Sequence, residues 1–339
     1  MQFDFTQSQF DMASSVGAML ARDFPPHRLR EMWAAGAESR DPWNDLAEIG
    51  LFTILVPEDL DGGGGNPDDV ALLLDRVGVH AAPGPVVETA LVAIDALVRF
   101  ADDSTRLTWL PRITEGQVRV ALVIDGRPAA GGQDAGAVVA VDGDRVAFLD
   151  IADVDVTAVP SQDPTRRLAQ ITWSASTFDR GLLSDGAAAR AQAMAAFGTA
   201  AVLVGINSRL IEMTRDYVLE RKQFGRVIGE FQAVKHQLAD AVVANEAARV
   251  LVWNAAAVLA DDTADTRLAA SVAKSAASQA SSVSNASALQ LHGGIGFTWE
   301  HDLHLWMKRG KALEQAYGNH DSLRRALGRT LLERGGAFA

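Results

Sequence analysis

The chain has no cysteine in its 339 residues. That absence excludes disulfides, iron-sulfur ligation, thiolate zinc sites and cysteine nucleophiles together, and it points to a cytoplasmic setting. Positive charge is short as well: 31 Lys and Arg stand against 43 Asp and Glu, a formal charge of -12. Such a chain repels phosphate backbones, so neither nucleic acid nor an anionic membrane is expected as a partner, and a small anionic cofactor would need a local basic patch. Residues 1–11 carry Asp4 and no basic cluster ahead of an apolar run, so no signal peptide is expected there. Long hydrophobic runs are scarce. The charge-free stretch 191–208 is mostly Ala and Gly with Gln192, Thr199 and Asn207, which fits a helix buried among helices better than a membrane span. Internal repeats and low-complexity tails are absent.

What is present is ordinary globular material, 48% hydrophobic and 22% charged, enough for a large core. Apolar spacing is helical over about 5–112, with breaks at Pro25 and Pro26, at 61–67 and at 83–85. Over about 117–178 it changes to short Val, Ile and Ala runs, two of them separated by Asp142 and Gly143, a hairpin signal. Helices return at 186–220, 230–260 and 264–291, with a final pair after 299. Small residues such as Ala269, Ala273, Ala276, Ala280 and Ser287 allow close helix packing. The expected fold is mainly α with a small β-domain: a helical domain at 1–115, a short antiparallel β-domain at 116–182, and a helical bundle at 183–339.

Four segments invite a chemical reading. The glycines at 62–65 lack a following Gly-Lys-Ser/Thr and are flanked by Asp61, Asp68 and Asp69, so a turn is expected rather than a phosphate cradle. His301 and His304 stand three apart, the spacing of one helix face, but no third ligand and no His-Glu-x-x-His order accompany them, so no metal is expected. Arg221, Lys222 and Arg226 fall within six residues around Phe224 and Gly225, followed by Phe231 and Gln232 at the next helix start. This densest basic spot suits a pyrophosphate, or simply caps a helix C-terminus. Finally, an Ala/Ser helix stops at Gln290, Leu291, His292, Gly293 and Gly294, where backbone N–H groups and an amide can face an anion.

The last two segments together, with the stretch 51–58 followed by glycines, resemble the acyl-CoA dehydrogenase family across nearly the whole chain. The resemblance implies a fold of helical domain, small sheet and four-helix bundle. It also implies α,β-dehydrogenation of an acyl-CoA thioester, with FAD taking a hydride and a glutamate removing a proton. FAD in that family lies across a subunit interface, and the arm reaching in from the neighbour corresponds here to Arg221, Phe224, Phe231, Gln232, Gln290, Gly293 and Gly294. The elements that serve a chain's own flavin depart from the pattern. Ile124, Asp125, Gly126, Arg127 and Pro128 stand where Thr-Glu-Pro-x-x-Gly-Ser-Asp is expected, and the Trp-x-Thr-x-Gly strand is not found. Tyr317 and Ala195 occupy the two known base positions, and a tyrosine is a poor base near neutrality. The chain thus resembles the short, base-less subunits of heterotetrameric actinobacterial acyl-CoA dehydrogenases of steroid (cholesterol) side-chain degradation. The implied partners are a sister subunit carrying the glutamate and binding most of the acyl-CoA, and an electron-transfer flavoprotein or similar acceptor. Two other readings stay open: a self-sufficient homo-oligomer with a displaced base such as Glu314, and a flavin-free structural helical protein.

Overall fold

In the N-terminal region the helices start where local chemistry supplies caps. Helix α1 (Gln7–Asp23) opens with a capping box in which the Thr6 hydroxyl accepts from the Gln9 N–H and the Gln9 side chain accepts from the Thr6 N–H. Pro25 ends that segment, and α2 (Pro26–Ala35) begins with Pro26 at its first position. Helix α3 (Trp43–Glu48) leads to the glycine loop, where a Cβ on Gly62 would lie 2.0 Å from the Val56 carbonyl oxygen. These glycines serve close backbone packing. Helix α4 (Pro67–Val79) starts at Asn66, whose N–H donates to the Asp69 carboxylate. A π-helical turn (Glu88–Ala93) runs into α5 (Ile94–Phe100), and α6 (Asp103–Thr114) follows. The structure, a computed structural model, describes residues 5–35, 41–262, 265–333 and 335, so residues 1–4, 36–40, 263–264, 334 and 336–339 of the segments read above lie outside it.

Three strands, β1 (Val120–Ile124), β2 (Ala137–Asp142) and β3 (Arg145–Asp150), form one sheet in that order. The Asp142 and Gly143 signal is a true hairpin turn: β2 and β3 pair antiparallel, closing at Asp142 opposite Arg145. The expectation of a wholly antiparallel sheet is corrected, because β1 runs parallel to β2 with Val120 opposite Ala137. Residues 125–136 cross back from the end of β1 to the start of β2, and only a crossover connection permits parallel pairing. Strands β4 (Asp155–Ala158) and β5 (Ala169–Thr172) form a separate antiparallel pair, followed by α7 (Ala175–Arg180).

The C-terminal region consists of α8 (Ala187–Glu220), α9 (Gln232–Ala260), α10 (Thr266–His292), α11 (Leu303–Gln315) and α12 (His320–Glu333). Helices α8, α9 and α10 pack on one another, α11 lies on α8 and α10, and α12 lies on α10. Helix α4 crosses α8 so closely that a Cβ on Gly205 would stand 2.0 Å from the Asp75 carbonyl, and one on Gly78 would stand 2.1 Å from that of Val202. Helices α8 and α9 are both long and apolar enough to cross a membrane by composition, although only the first was flagged by its sequence. The apolar window of α8 is 83% buried inside the chain, which accounts for it, whereas that of α9 is 33% buried and exposes Val243.

One guanidinium joins the three regions. Arg309 on α11 donates to the Asp163 carboxylate, to the Thr165 hydroxyl at 2.5 Å, and to the Ala82 carbonyl at 3.0 Å, with Asp163 and Arg309 both buried. Removing one partner of such a pair strands the other charge in low dielectric. Arg309→Met is therefore expected to lower stability by about 3–5 kcal/mol, read as a shift of the urea-unfolding midpoint; an unchanged midpoint would show that the junction is dispensable.

Candidate functional site

Helix α8 ends where the Arg221 N–H caps the Tyr217 carbonyl at 2.9 Å. The chain then makes a two-residue ladder, β6 (Lys222–Gln223) against β7 (Arg226–Val227), closed by Phe224 and Gly225 at φ 54° and 78°. Two successive left-handed residues make the tight turn that matches strand twist, and glycine fits the second position without strain. The turn thrusts Phe224 outward, leaving it 92% exposed. Phe231 meets Phe224 edge to face at 6.2 Å and carries the Arg226 guanidinium 4.1 Å over its ring. Arg221, Lys222 and Gln232 are exposed, and among the described residues no carboxylate pairs with Arg221 or Lys222.

Helix α10 ends at a corner where Gly293 turns at φ 61°. A Cβ built on Gly293 or Gly294 would meet nothing within 4 Å, so both backbones face open space beside the exposed Gln290. The two segments meet through a pair that sequence reasoning missed. The Tyr217 ring, one turn before Arg221, stacks on the buried His292 ring at 4.5 Å and 19°, and His301 stands edge-on to His292 at 4.7 Å. The His292 Nδ1–H donates to the Ala288 carbonyl at 2.8 Å, and burial holds this imidazole below its usual pKa, hence neutral. Tyr217 precedes Arg221 by four residues, the one signal that could have found it. All seven predicted arm residues thus gather at one end of the bundle.

At the other end lies a cavity of about 720 Å³, walled by β1, the turn 125–128, α8, α10 and the α11–α12 connection. Tyr317 lines it from that connection, at φ 53°, and its phenol donates to the Glu88 carboxylate at 2.5 Å. Glu88 sits in the π-helical turn, buried, and burial raises its carboxyl pKa. Burial and the adjacent Glu88 push the Tyr317 phenol well above 10, so it stays a donor at neutral pH. Ala195 is fully buried in α8 between the lining residues Ala193 and Ala196. Glu314 lies outside the cavity wall, its carboxylate held by Lys311 at 3.0 Å and Ser282 at 3.3 Å. Ile124, Asp125, Arg127 and Pro128 do line the wall. His301 and His304 are tied up locally, the first accepting from the Leu303 N–H and the second donating to the His301 carbonyl.

A helical region, a small sheet and a bundle, with an exposed basic and aromatic corner at one end and a cavity at the other, follow the plan that the resemblance implies. Residues 6–117 match the N-terminal domain model of acyl-CoA dehydrogenases and residues 186–332 the C-terminal domain model, so the chain belongs to that family. It is 34% identical over 306 residues to acyl-CoA dehydrogenase IpdE2 of Mycobacterium tuberculosis, covering 90% of this chain and 91% of that one. In fold it is similar to the ChsE4–ChsE5 complex from Mycobacterium tuberculosis, with a TM-score of 0.86 at 24% identity over 98% and 99% of the two chains. A variant of the Tcur3481–Tcur3483 steroid ACAD gives 0.86 at 24% identity over 97% and 98%. FAD is the cofactor of the family, and the corner fits it: unpaired cations suit a pyrophosphate, the open glycines admit close approach, and the phenylalanines offer apolar contact.

Beneath the Tyr317 connection, Lys274 is fully buried and donates to the Ser278 hydroxyl and to the Glu314 and Gly318 carbonyls. Burial lowers its pKa from the ordinary 10.5 to about 7. Between those values the unfolded chain binds a proton that the folded chain does not, so stability falls as pH drops from 10.5 toward 7. Lys274→Met should abolish that slope in unfolding curves taken across the window; an equally steep slope in the variant would place its origin elsewhere.

Proposed function

We propose that this chain is the non-catalytic partner subunit of an FAD-dependent acyl-CoA dehydrogenase, completing the flavin site of a sister chain that carries the base. One observation carries the reading. The arm and the chain's own cavity stand at opposite ends of the same helices: from Ala196 to Arg221 along α8, and from Ser271 to Gln290 along α10, the separation is about 30–40 Å at 1.5 Å per residue. An exposed arm that far from its own cavity serves another chain. In this reading the chain divides at 1–115, 116–182 and 183–339, and only the last region meets the shared cofactor.

Arg221 and Lys222 would hold the pyrophosphate, Gln290, Gly293 and Gly294 would present N–H groups and an amide, and Phe224, Phe231 and Gln232 would pack beside it. Bound FAD accepts the hydride of the family reaction. This chain's residues bind and orient it and supply no proton acceptor, since Tyr317 is held as a donor and Ala195 has no polar group. Heteromeric assembly is supported by the ChsE4–ChsE5 complex, and CoA esters of steroid side chains are the candidate substrates by analogy with the steroid ACAD. An electron-transfer flavoprotein or similar acceptor would reoxidise the flavin, in the cytoplasm.

Co-produced with its sister, the chain should form an α2β2 assembly with one FAD per heterodimer, and produced alone it should hold no flavin. Arg221→Ala should loosen FAD by roughly tenfold or more, since charge-assisted contacts contribute about 1.5–3 kcal/mol. Lys at that position should recover only part, lacking the planar fork. Absorbance and mass of the purified assemblies decide: two FAD per heterodimer, or a yellow active homo-oligomer of this chain alone, would refute the partner role.

A further inference from the structure

In a chain of net charge -12, arginines are mostly consumed by carboxylates, as in the Arg190–Asp95, Arg249–Asp75 and Arg119–Asp41 pairs. Three that are not surround the cavity near Tyr317. Arg127 and Arg267 are exposed and Arg166 is half-buried, and among the described residues none makes an ion pair. The cavity's own carboxylate is Asp125, so the wall carries a surplus of positive charge. Glu88, near enough to Arg166 for their charges to interact, is beyond ion-pair distance and is already bonded by Tyr317. The rest of the wall is apolar, formed by Leu122, Leu168, Ala193, Ala196, Ala312 and Leu323. At about 720 Å³ the space lies within the roughly 300–1,000 Å³ typical of small-molecule pockets.

We propose that this cavity binds an apolar carboxylic acid as its free anion, with the hydrocarbon body on the aliphatic wall and the carboxylate against Arg166. A half-buried guanidinium without a counter-ion is costly, and a planar carboxylate satisfies its fork bidentately. The acyl carbonyl of a thioester is neutral and offers Arg166 no charge, whereas the free acid brings its carboxylate directly to the end of the hydrocarbon body; a CoA ester carries its charge only in the phosphates of its CoA part. Arg127 and Arg267 at the mouth raise the local concentration of anions. The site binds without turnover: Tyr317 stands as a donor to Glu88, and the wall's carboxylate, Asp125, is exposed on the turn 125–128. The inference goes beyond the partner role and does not depend on it, because the cavity and the arm share no residue.

Isothermal titration of the full-length chain tests it, with decanoate, decahydronaphthalene-2-carboxylate, decanamide, decanoyl-CoA and free CoA as probes. The two acids should bind, decanamide should bind at least tenfold more weakly, free CoA should not bind, and Arg166→Gln should weaken the acids by about tenfold, the scale of a charge-assisted contact. Melting curves establish that the variant is folded; if it is not, the exposed Arg267→Gln, expected to weaken the acids severalfold, and the acid-against-amide comparison on the unaltered chain carry the decision. The proposal is overturned if acid and amide bind equally, if Arg166→Gln binds the acids as the parent does, if no acid binds at millimolar concentration, or if decanoyl-CoA binds tighter than decanoate. None of these outcomes alters the FAD count of the heteromer, so the two readings stand or fall separately.

Discussion

A single uninterrupted helix fixes the distance on which the function turns. Helix α8 runs 34 residues, and its only interruptions of side-chain bulk are small residues that let neighbours close in. Gly205 allows α4 to touch its backbone, and Gly198 makes room for Leu91 and Val87, where a Cβ would stand 2.4 Å from the Leu91 side chain. A helix buried this thoroughly cannot bend toward its own cavity without opening its core, because interiors are close-packed. The arm at its C-terminus is therefore held away from this chain's own cavity.

Small residues make the bundle tight, but polar groups decide how its parts are oriented. Ala-rich faces on α8 and α10 are alike in shape and chemistry along their lengths and specify register weakly. Arg309 supplies a unique registration, since Asp163, Thr165 and the Ala82 carbonyl satisfy its fork from two other regions at once. Arg190 on α8 adds a second tie, donating to Asp95 on α5 and to the Leu259 carbonyl on α9 at 3.0 Å. Lys274 ties the α11–α12 connection to α10, which sets Tyr317 against Glu88.

Much of this was legible in the sequence wherever the signal is local. Helical periodicity, the hairpin at Asp142 and Gly143, and the contiguous motif residues Arg221, Phe224, Gln290 and Gly293 each lie within a few positions of one another. The direction of β1 was not legible, because the path of residues 125–136 decides it. Nor was the Tyr217–His292 stack, which joins two helices, or the Tyr317–Glu88 bond, whose partners are 229 positions apart. Lys274 and Arg166 look like ordinary surface cations in sequence. Only burial distinguishes the first, and only the lack of an ion pair beside a cavity the second.

That lack is the most informative electrostatic feature of the molecule. A charge of -12 makes an unpaired cation unfavourable to leave unpaired anywhere that carboxylates can reach it, and across most of the surface they do reach it. Among the cations that lack an ion pair, two groups gather beside open space: Arg221 and Lys222 at the arm beside open glycines, and Arg127, Arg166 and Arg267 around the cavity, facing an aliphatic wall. The two places differ in what they can accept. The arm is exposed and open, suited to the pyrophosphate of the family's cofactor. The cavity is concave and mostly apolar, suited to a small amphipathic anion held by this chain alone. Tyr317, held as a donor to Glu88, leaves the positive charge of the cavity in place, and a cavity that keeps its charge keeps a ligand preference.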